Sequence, residues 1–196
     1  MDHFYQNIPG WCAFADLYRD AVAKARSPAL FVEVGSWKGR SAALMGVEIV
    51  NSGKAIEFCC IDPWLEGGPD LVGTEFETKG ENVLYQEFLR NTAPLAGVIK
   101  PMRMTSLEAV ELFADESIDF LMLDGDHNYP VVKQEIQAYL PKMKKGGIIS
   151  GDDYRWPGVT QSVEETIGSN HIGVRDVRKD KNYKLSASYW FYRVKA

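Results

Sequence analysis

A doubly wound α/β sheet, mostly parallel, with helices on both faces and an antiparallel hairpin at its C-terminal end, is what this 196-residue sequence predicts. Three observations lead there. Short apolar runs at Leu30 to Val34, Ile56 to Ile61 and Ile118 to Leu123 alternate with stretches of helical period. These runs contain almost no polar residue, as expected of parallel strands covered on both faces. The last run, Tyr189 to Val194, follows another at Val174 to Val177, and the two read as strands joined directly.

Each element has its own justification. Trp11, Phe14, Tyr18 and Val22 recur at helical spacing between Trp11 and Ala25, with Pro28 just beyond, so residues 1–28 read as a helical extension of one domain spanning 1–196. After the first strand, a helix from Arg40 to Asn51 ends at Gly53, and Ile56 to Ile61 is stopped by Asp62-Pro63. Residues 63–80 contain four glycines and two prolines without periodicity, the composition of a lid or binding loop. A helix from Glu81 to about Asn91 leads to a short strand at Val98-Ile99. Ser106 then caps a helix from Leu107 to Phe113. Following the fourth strand, Val131 to Leu140 is helical, and Gly146-Gly147 turns the chain into a fifth strand, Ile148 to Ser150.

Composition narrows the function classes. A 45% hydrophobic content supplies one well-buried core, and a net charge of −5 argues against a nucleic-acid partner held by general electrostatics. Lys142, Lys144 and Lys145 are a local basic group, read preferentially as a solvated helix end. Cys12, Cys59 and Cys60 form no paired framework, which fits a reduced cytoplasm. With neither a basic-then-apolar leader nor an apolar run of spanning length, the expectation is a soluble, unsecreted protein without a membrane partner.

The chemistry concentrates where strands end, the place where open α/β sheets bind ligands. Phe31-Val32-Glu33-Val34-Gly35-Ser36-Trp37-Lys38-Gly39-Arg40-Ser41 is a strand, a tight turn and a helix. Its glycines let a ligand or a neighbouring backbone approach, and the helix start offers unpaired N–H groups. A pyrophosphate would meet the Glu33 carboxylate, whereas the ammonium and sulfonium of S-adenosylmethionine would be welcomed by it. Asp62 lies at the spacing of a ribose acceptor, or simply begins a turn; Trp64 either covers an adenine or packs. Asp124, Asp126, Asp152 and Asp153 stand at the ends of strands four and five, which as neighbours would lie about 5 Å apart. Clustered carboxylates without paired Cys or His point to Mg²⁺, Mn²⁺ or Ca²⁺, although any single one could cap a helix or stay hydrated. His127, beside them, is a candidate base near neutral pH, or a hydrogen-bonding residue at a helix start.

Glu33 to Ser41, Ile61-Asp62-Pro63-Trp64, Asp124 to Tyr129 and Gly151-Asp152-Asp153-Tyr154 together resemble a small class I S-adenosylmethionine-dependent methyltransferase of Rossmann-like fold. The likeness is strongest to the bacterial and phage group related to macrocin-type and catechol-type O-methyltransferases. It implies cofactor contacts from Glu33, Gly35, Ser36, Gly39 and Ser41, a ribose contact from Asp62 with Trp64 beside it, and an adenine contact near Thr105 and Ser106. It further implies an ion, Mg²⁺ by its chemistry, held by Asp124, Asp152 and Asp153, with Asp126 an alternative ligand. His127 and Asp124 would be catalytic and Asp124 would also border the cofactor. The implied activity is transfer of a methyl group to a hydroxyl of a small molecule, with homo-oligomerisation left open. A metal-dependent hydrolase of a nucleoside-containing substrate and a non-catalytic cofactor-binding module are the rival readings.

Overall fold

A computed structural model describes residues 1–65, 73, 74, 77, 80, 82–177 and 187–195. Seven strands form one sheet in the order β3-β2-β1-β4-β5-β7-β6. These are β1 (Ala29–Val34), β2 (Ile56–Ile61), β3 (Ile99–Met102), β4 (Ile118–Leu123), β5 (Met143–Gly151), β6 (Gly173–Asp176) and β7 (Ser188–Arg193). The first five are parallel, while β7 runs antiparallel to both β5 and β6. The predicted architecture is therefore the observed one. Strand order reverses between β1 and its neighbours β2 and β4, and that switch point opens a crevice above the carboxyl ends of β1 and β4.

Among the described residues six α-helices cover the sheet: α1 (Ala15–Lys24), α2 (Arg40–Ser52), α3 (Val83–Thr92), α4 (Ser106–Val110), α5 (Tyr129–Tyr139) and α6 (Pro157–Thr166). Because side chains alternate along a strand, Phe31, Phe58 and Phe120 pack with α1, α2 and α3 on one face. Val32, Val34, Leu121 and Ile149 pack with α4, α5 and α6 on the other. Each large side chain so buried contributes about 1.5–3 kcal/mol. The same alternation puts Glu33 on the face of Phe31, under α1, and this decides its hydrogen-bond partner below.

Several element boundaries differ from expectation for physical reasons. The N-terminal helix begins at Ala15, because the backbone at Phe14 is not yet helical. Thr105, not Ser106, caps α4: it closes a capping box with Glu108, while Ser106 is the first helical residue. Gly146-Gly147 lies inside β5, which advances from Met143 to Ile148 while β4 advances only from Ile118 to Phe120, so the extra residues bulge outward. Helix α6 has no counterpart in the periodicity reading. The predicted loop 63–80 falls largely outside the described residues, as does Glu81. Among the described residues no helix is long and apolar enough to cross a membrane.

Candidate active site

Strand β1 ends in a turn that is pinned from both sides. The Gly35 N–H donates to the Ile61 carbonyl at 2.8 Å, and the Asp124 N–H donates to the Val34 carbonyl at 2.9 Å. Gly35 has φ 86°, and a Cβ there would stand 2.1 Å from the Asp124 carbonyl oxygen. The close approach that demands glycine is thus made by the chain's own β4 loop. At Gly39, which precedes α2 with φ 88°, a Cβ would stand 2.8 Å from Thr92 Cγ2.

Glu33 is 1% exposed. The Tyr18 hydroxyl donates to its Oε2 at 2.6 Å, so α1 fixes the carboxylate from the side that strand alternation dictates. Burial pushes the Glu33 carboxyl up, against the hydrogen bond from Tyr18 and the nearby Ser36 and Ser41 hydroxyls, which favour the charged form. Glu33 Oε1 and the Ser36 hydroxyl are nevertheless buried without a partner of hydrogen-bonding geometry. Orphaned polar atoms beside a glycine turn fit a ligand that brings its own donors.

Asp62 reaches back to the same turn. Its Oδ2 accepts from the Trp37 N–H at 2.8 Å and its Oδ1 from the Trp64 N–H at 2.6 Å. Burial raises its pKa while these backbone donors oppose the rise. Each oxygen keeps a further lone pair for a ligand hydroxyl. Trp64 is packed into the core. It is 1% exposed, its indole N–H donates to the Trp37 carbonyl at 2.8 Å, and its ring sits against Phe88 and Tyr85. Thr105 and Ser106 follow β3, where Thr105 closes the capping box and the Ser106 hydroxyl donates to Glu135 Oε1 at 2.5 Å.

At the ends of β4 and β5, paired through Leu123 and Gly151, the acids gather. One donor atom from each of Asp124, His127 and Asp153 lies within 4.8 Å of the other two, spacing that a divalent cation with oxygen and nitrogen ligands can span. The expected trio had Asp152 in place of His127. Asp152 turns inward, 8% exposed with Oδ1 unpartnered, while the left-handed backbone of Asp153, at φ 53°, turns its side chain to His127. His127 Nε2 lies 2.9 Å from Asp153 Oδ2. Burial lowers the His127 pKa, but its bond to Asp153 and the surrounding acids outweigh this and leave it raised. Burial, then Asp152 and Asp153, hold the Asp124 carboxyl well above the usual range; burial and Asp153 push Asp152 to about 7. Like charges this close resist ionising together, and a cation would relieve them. Asp126 turns aside to accept from the Asn128 N–H at 2.6 Å.

Two residues of this region were not anticipated. Tyr18 orients Glu33, and Glu135 lies behind Asp124 with its carboxyl raised by burial to about 7. Each is a polar group on an otherwise apolar helical stripe, which is the signal the sequence carried. Trp156, 40% exposed, stacks on His127 at 4.8 Å between ring centroids and walls the rim.

Comparison with known proteins places this geometry in a family. A family model described as a methyltransferase domain matches residues 32–154. An uncharacterised protein of Acanthamoeba polyphaga mimivirus is 29% identical over 150 residues, covering 73% of this chain and 61% of that protein, so the chain spans less than two thirds of its relative. The O-methyltransferase NovP superposes with a TM-score of 0.66 at 15% identity, covering 94% of this chain and 80% of NovP. A structure described as a putative rRNA-methylase from Clostridium thermocellum superposes with a TM-score of 0.63 at 9% identity, covering 95% and 100%. At such identities these two likenesses establish the fold alone.

Proposed function

Since the chain belongs to the methyltransferase-domain family, we propose that it transfers a methyl group from S-adenosylmethionine to a hydroxyl of a small-molecule acceptor. The observation that carries this reading is the convergence on one crevice of the Gly35 turn, with its orphaned Glu33 and Ser36 atoms, and the Asp124, His127, Asp153 group. The whole chain acts as one unit, and residues 1–28 reach the site through Tyr18.

Bound S-adenosylmethionine supplies a sulfonium-activated methyl carbon, and a divalent ion supplies charge that lowers the pKa of an acceptor hydroxyl. Glu33, Ser36 and Ser41 receive the amino-acid end of the donor, with Tyr18 holding Glu33 in place. Asp62 accepts from the ribose while keeping the Trp37 and Trp64 backbone aligned. Thr105 and Ser106 border the adenine. Asp124 and Asp153 hold the ion, with Asp152 behind them. His127 donates from Nε2 to Asp153, so its Nδ1 carries the lone pair that takes the acceptor's proton. Trp156 gives a planar acceptor a surface to lie on. The acid-lined rim disfavours a phosphate backbone, which supports a small acceptor over RNA.

The test is a calorimetric titration with S-adenosylhomocysteine followed by labelled methyl transfer to a panel of hydroxylated acceptors, with RNA in the same panel, with and without Mg²⁺. Binding to the parent is expected, with a loss of about 1.5–3 kcal/mol in Asp62→Ala as a charge-assisted acceptor disappears. Transfer is expected to stop in excess chelator and in Asp153→Ala while cofactor affinity persists. Absence of S-adenosylhomocysteine binding overturns the donor, transfer to RNA alone overturns the acceptor class, and full activity in chelator removes the ion.

A further inference from the structure

A cavity of about 460 Å³ lies at the opposite end of the sheet from the site above. It sits between the end of α1 and the bulged start of β5 and is lined by Lys24, Arg26, Lys144, Lys145 and Arg193, with Asp119 the one acidic residue. Asp119 is already engaged. It accepts from Lys144 Nζ at 2.7 Å and from the Leu30 N–H at 2.8 Å. Lys24 is likewise paired, with Asp20 Oδ2 at 2.8 Å, and the other three cations keep capacity for a ligand. Arg26 makes no hydrogen bond or ion pair among the described residues. Lys145 approaches Glu116 only to 3.9 Å, with both side chains more than half exposed. Arg193 spends one nitrogen on the Gly146 carbonyl, 2.7 Å away. The floor is apolar, made by Pro28, Ile148 and the edges of Phe31 and Phe120.

We propose that this cavity is a second binding site, for a small anionic molecule with an apolar body. Three facts support it. The volume is that of a small-molecule pocket. With Lys144 paired to Asp119 and Lys24 to Asp20, the three cations Arg26, Lys145 and Arg193 remain to create a local field attractive to anions in a chain of net charge −5. The geometry is built by the fold: the extra residues of β5 swing Lys144 and Lys145 out over the floor. Concavity and the apolar floor favour a small amphipathic anion over an extended polyanion, which would need a surface track. Lys144 and Lys145 are thus cavity-lining residues of a strand bulge and not a solvated helix end.

The probe is 8-anilinonaphthalene-1-sulfonate, an anion on an aromatic body, titrated by fluorescence against the intact chain, with N-phenyl-1-naphthylamine as its uncharged counterpart. One saturable site per chain is expected, with the uncharged compound at least about tenfold weaker. The double variant Arg26→Glu, Lys145→Glu should weaken sulfonate binding by about tenfold or more, and its unchanged melting temperature would show that it folds. Arg26→Gln alone, which removes a charge without reversing it, should give a smaller loss in the same direction. Saturating S-adenosylhomocysteine should leave the sulfonate bound. Equal binding of the two compounds, insensitivity to both variants, displacement by S-adenosylhomocysteine, or heparin binding in the absence of sulfonate binding would each overturn the proposal.

Discussion

The two ends of this sheet have opposite electrostatics and opposite volumes. At the carboxyl end Asp124, Asp126, Asp152 and Glu135 surround a cavity of about 10 Å³, room for about one water or ion, whereas the amino end holds the basic cavity of about 460 Å³. Size therefore points away from the chemistry. At the carboxyl end Asp153, Trp37 and Trp64 all stand at positive φ, while at the amino end Glu116 is the one non-glycine residue among those described to do so. The difference teaches that this fold locates chemistry by strand polarity and leaves its other end free to acquire a separate ligand. It also predicts that matched substitutions at the two ends will have unequal effects.

The largest expected effect is at His127. His127→Ala should lower turnover by roughly 10²–10⁴, the range for a positioned general base, and raising the pH should partly rescue it as the acceptor ionises by itself. The proximity of His127 to both Asp124 and Asp153 allows a sharper reading. Mn²⁺ affinity, measured by electron paramagnetic resonance, should be retained if His127 moves the proton and lost if it is an ion ligand. Retained turnover at neutral pH would reduce it to a hydrogen-bonding partner of Asp153.

Next in size is a pair of glycines with similar backbone and different surroundings. Gly35 has φ 86° and Gly146 φ 81°, so alanine is strained at both by about 1–2 kcal/mol. A Cβ at Gly146 meets nothing within 4 Å, but at Gly35 it would strike the Asp124 backbone. Gly146→Ala should thus lose only the strain, whereas Gly35→Ala should lose more than about 3 kcal/mol by urea unfolding, or fail to fold. Similar losses would mean that the carboxyl-end turn is softer than its contacts require.

These contrasts also show what was legible in the sequence. Strands β2 and β4 have the predicted limits, because a six-residue apolar run broken only by Glu57 or Asp119 is the length and composition of a buried strand. Strand β5 extends back to Met143, which pairs with Ile118, while Lys144-Lys145-Gly146-Gly147, a sequence without strand character, forms the bulge that follows. Helix α6 was not anticipated, yet proline is well suited to the first turn of a helix and Pro157 opens it. Asp124, Asp153 and His127 were anticipated as neighbours from strand ends, but a linear reading did not separate Asp152 from Asp153. Both lie beyond the end of β5, and the left-handed backbone of Asp153 that separates them has no signal in its residue type. Tyr18 was assigned to an apolar stripe and not to Glu33, since a contact between α1 and β1 depends on how the helix lies on the sheet.

The smallest effect concerns stability and distinguishes the two ends by pH. Glu135 lies on the buried face of α5 between Val132 and Ile136, with its carboxyl raised to about 7, chiefly by burial, against the hydrogen bond from Ser106. In the unfolded chain it would titrate near the usual glutamate value. Between these two values the folded protein binds the extra proton, so its stability is full below the unfolded pKa and is lost as pH rises through about 7. The loss amounts to about 3 kcal/mol at most, and Asp152, raised to about 7 in the same crevice, adds in the same direction. Urea midpoints without metal should therefore fall from pH 5 to pH 8. Glu135→Gln, uncharged at every pH, should flatten part of that slope, and Mg²⁺ should flatten more of it by stabilising the ionised carboxylates. A parent whose stability rises over the same interval would mean that Glu135 ionises freely in the folded chain, and that the carboxyl end is wetter than its packing indicates.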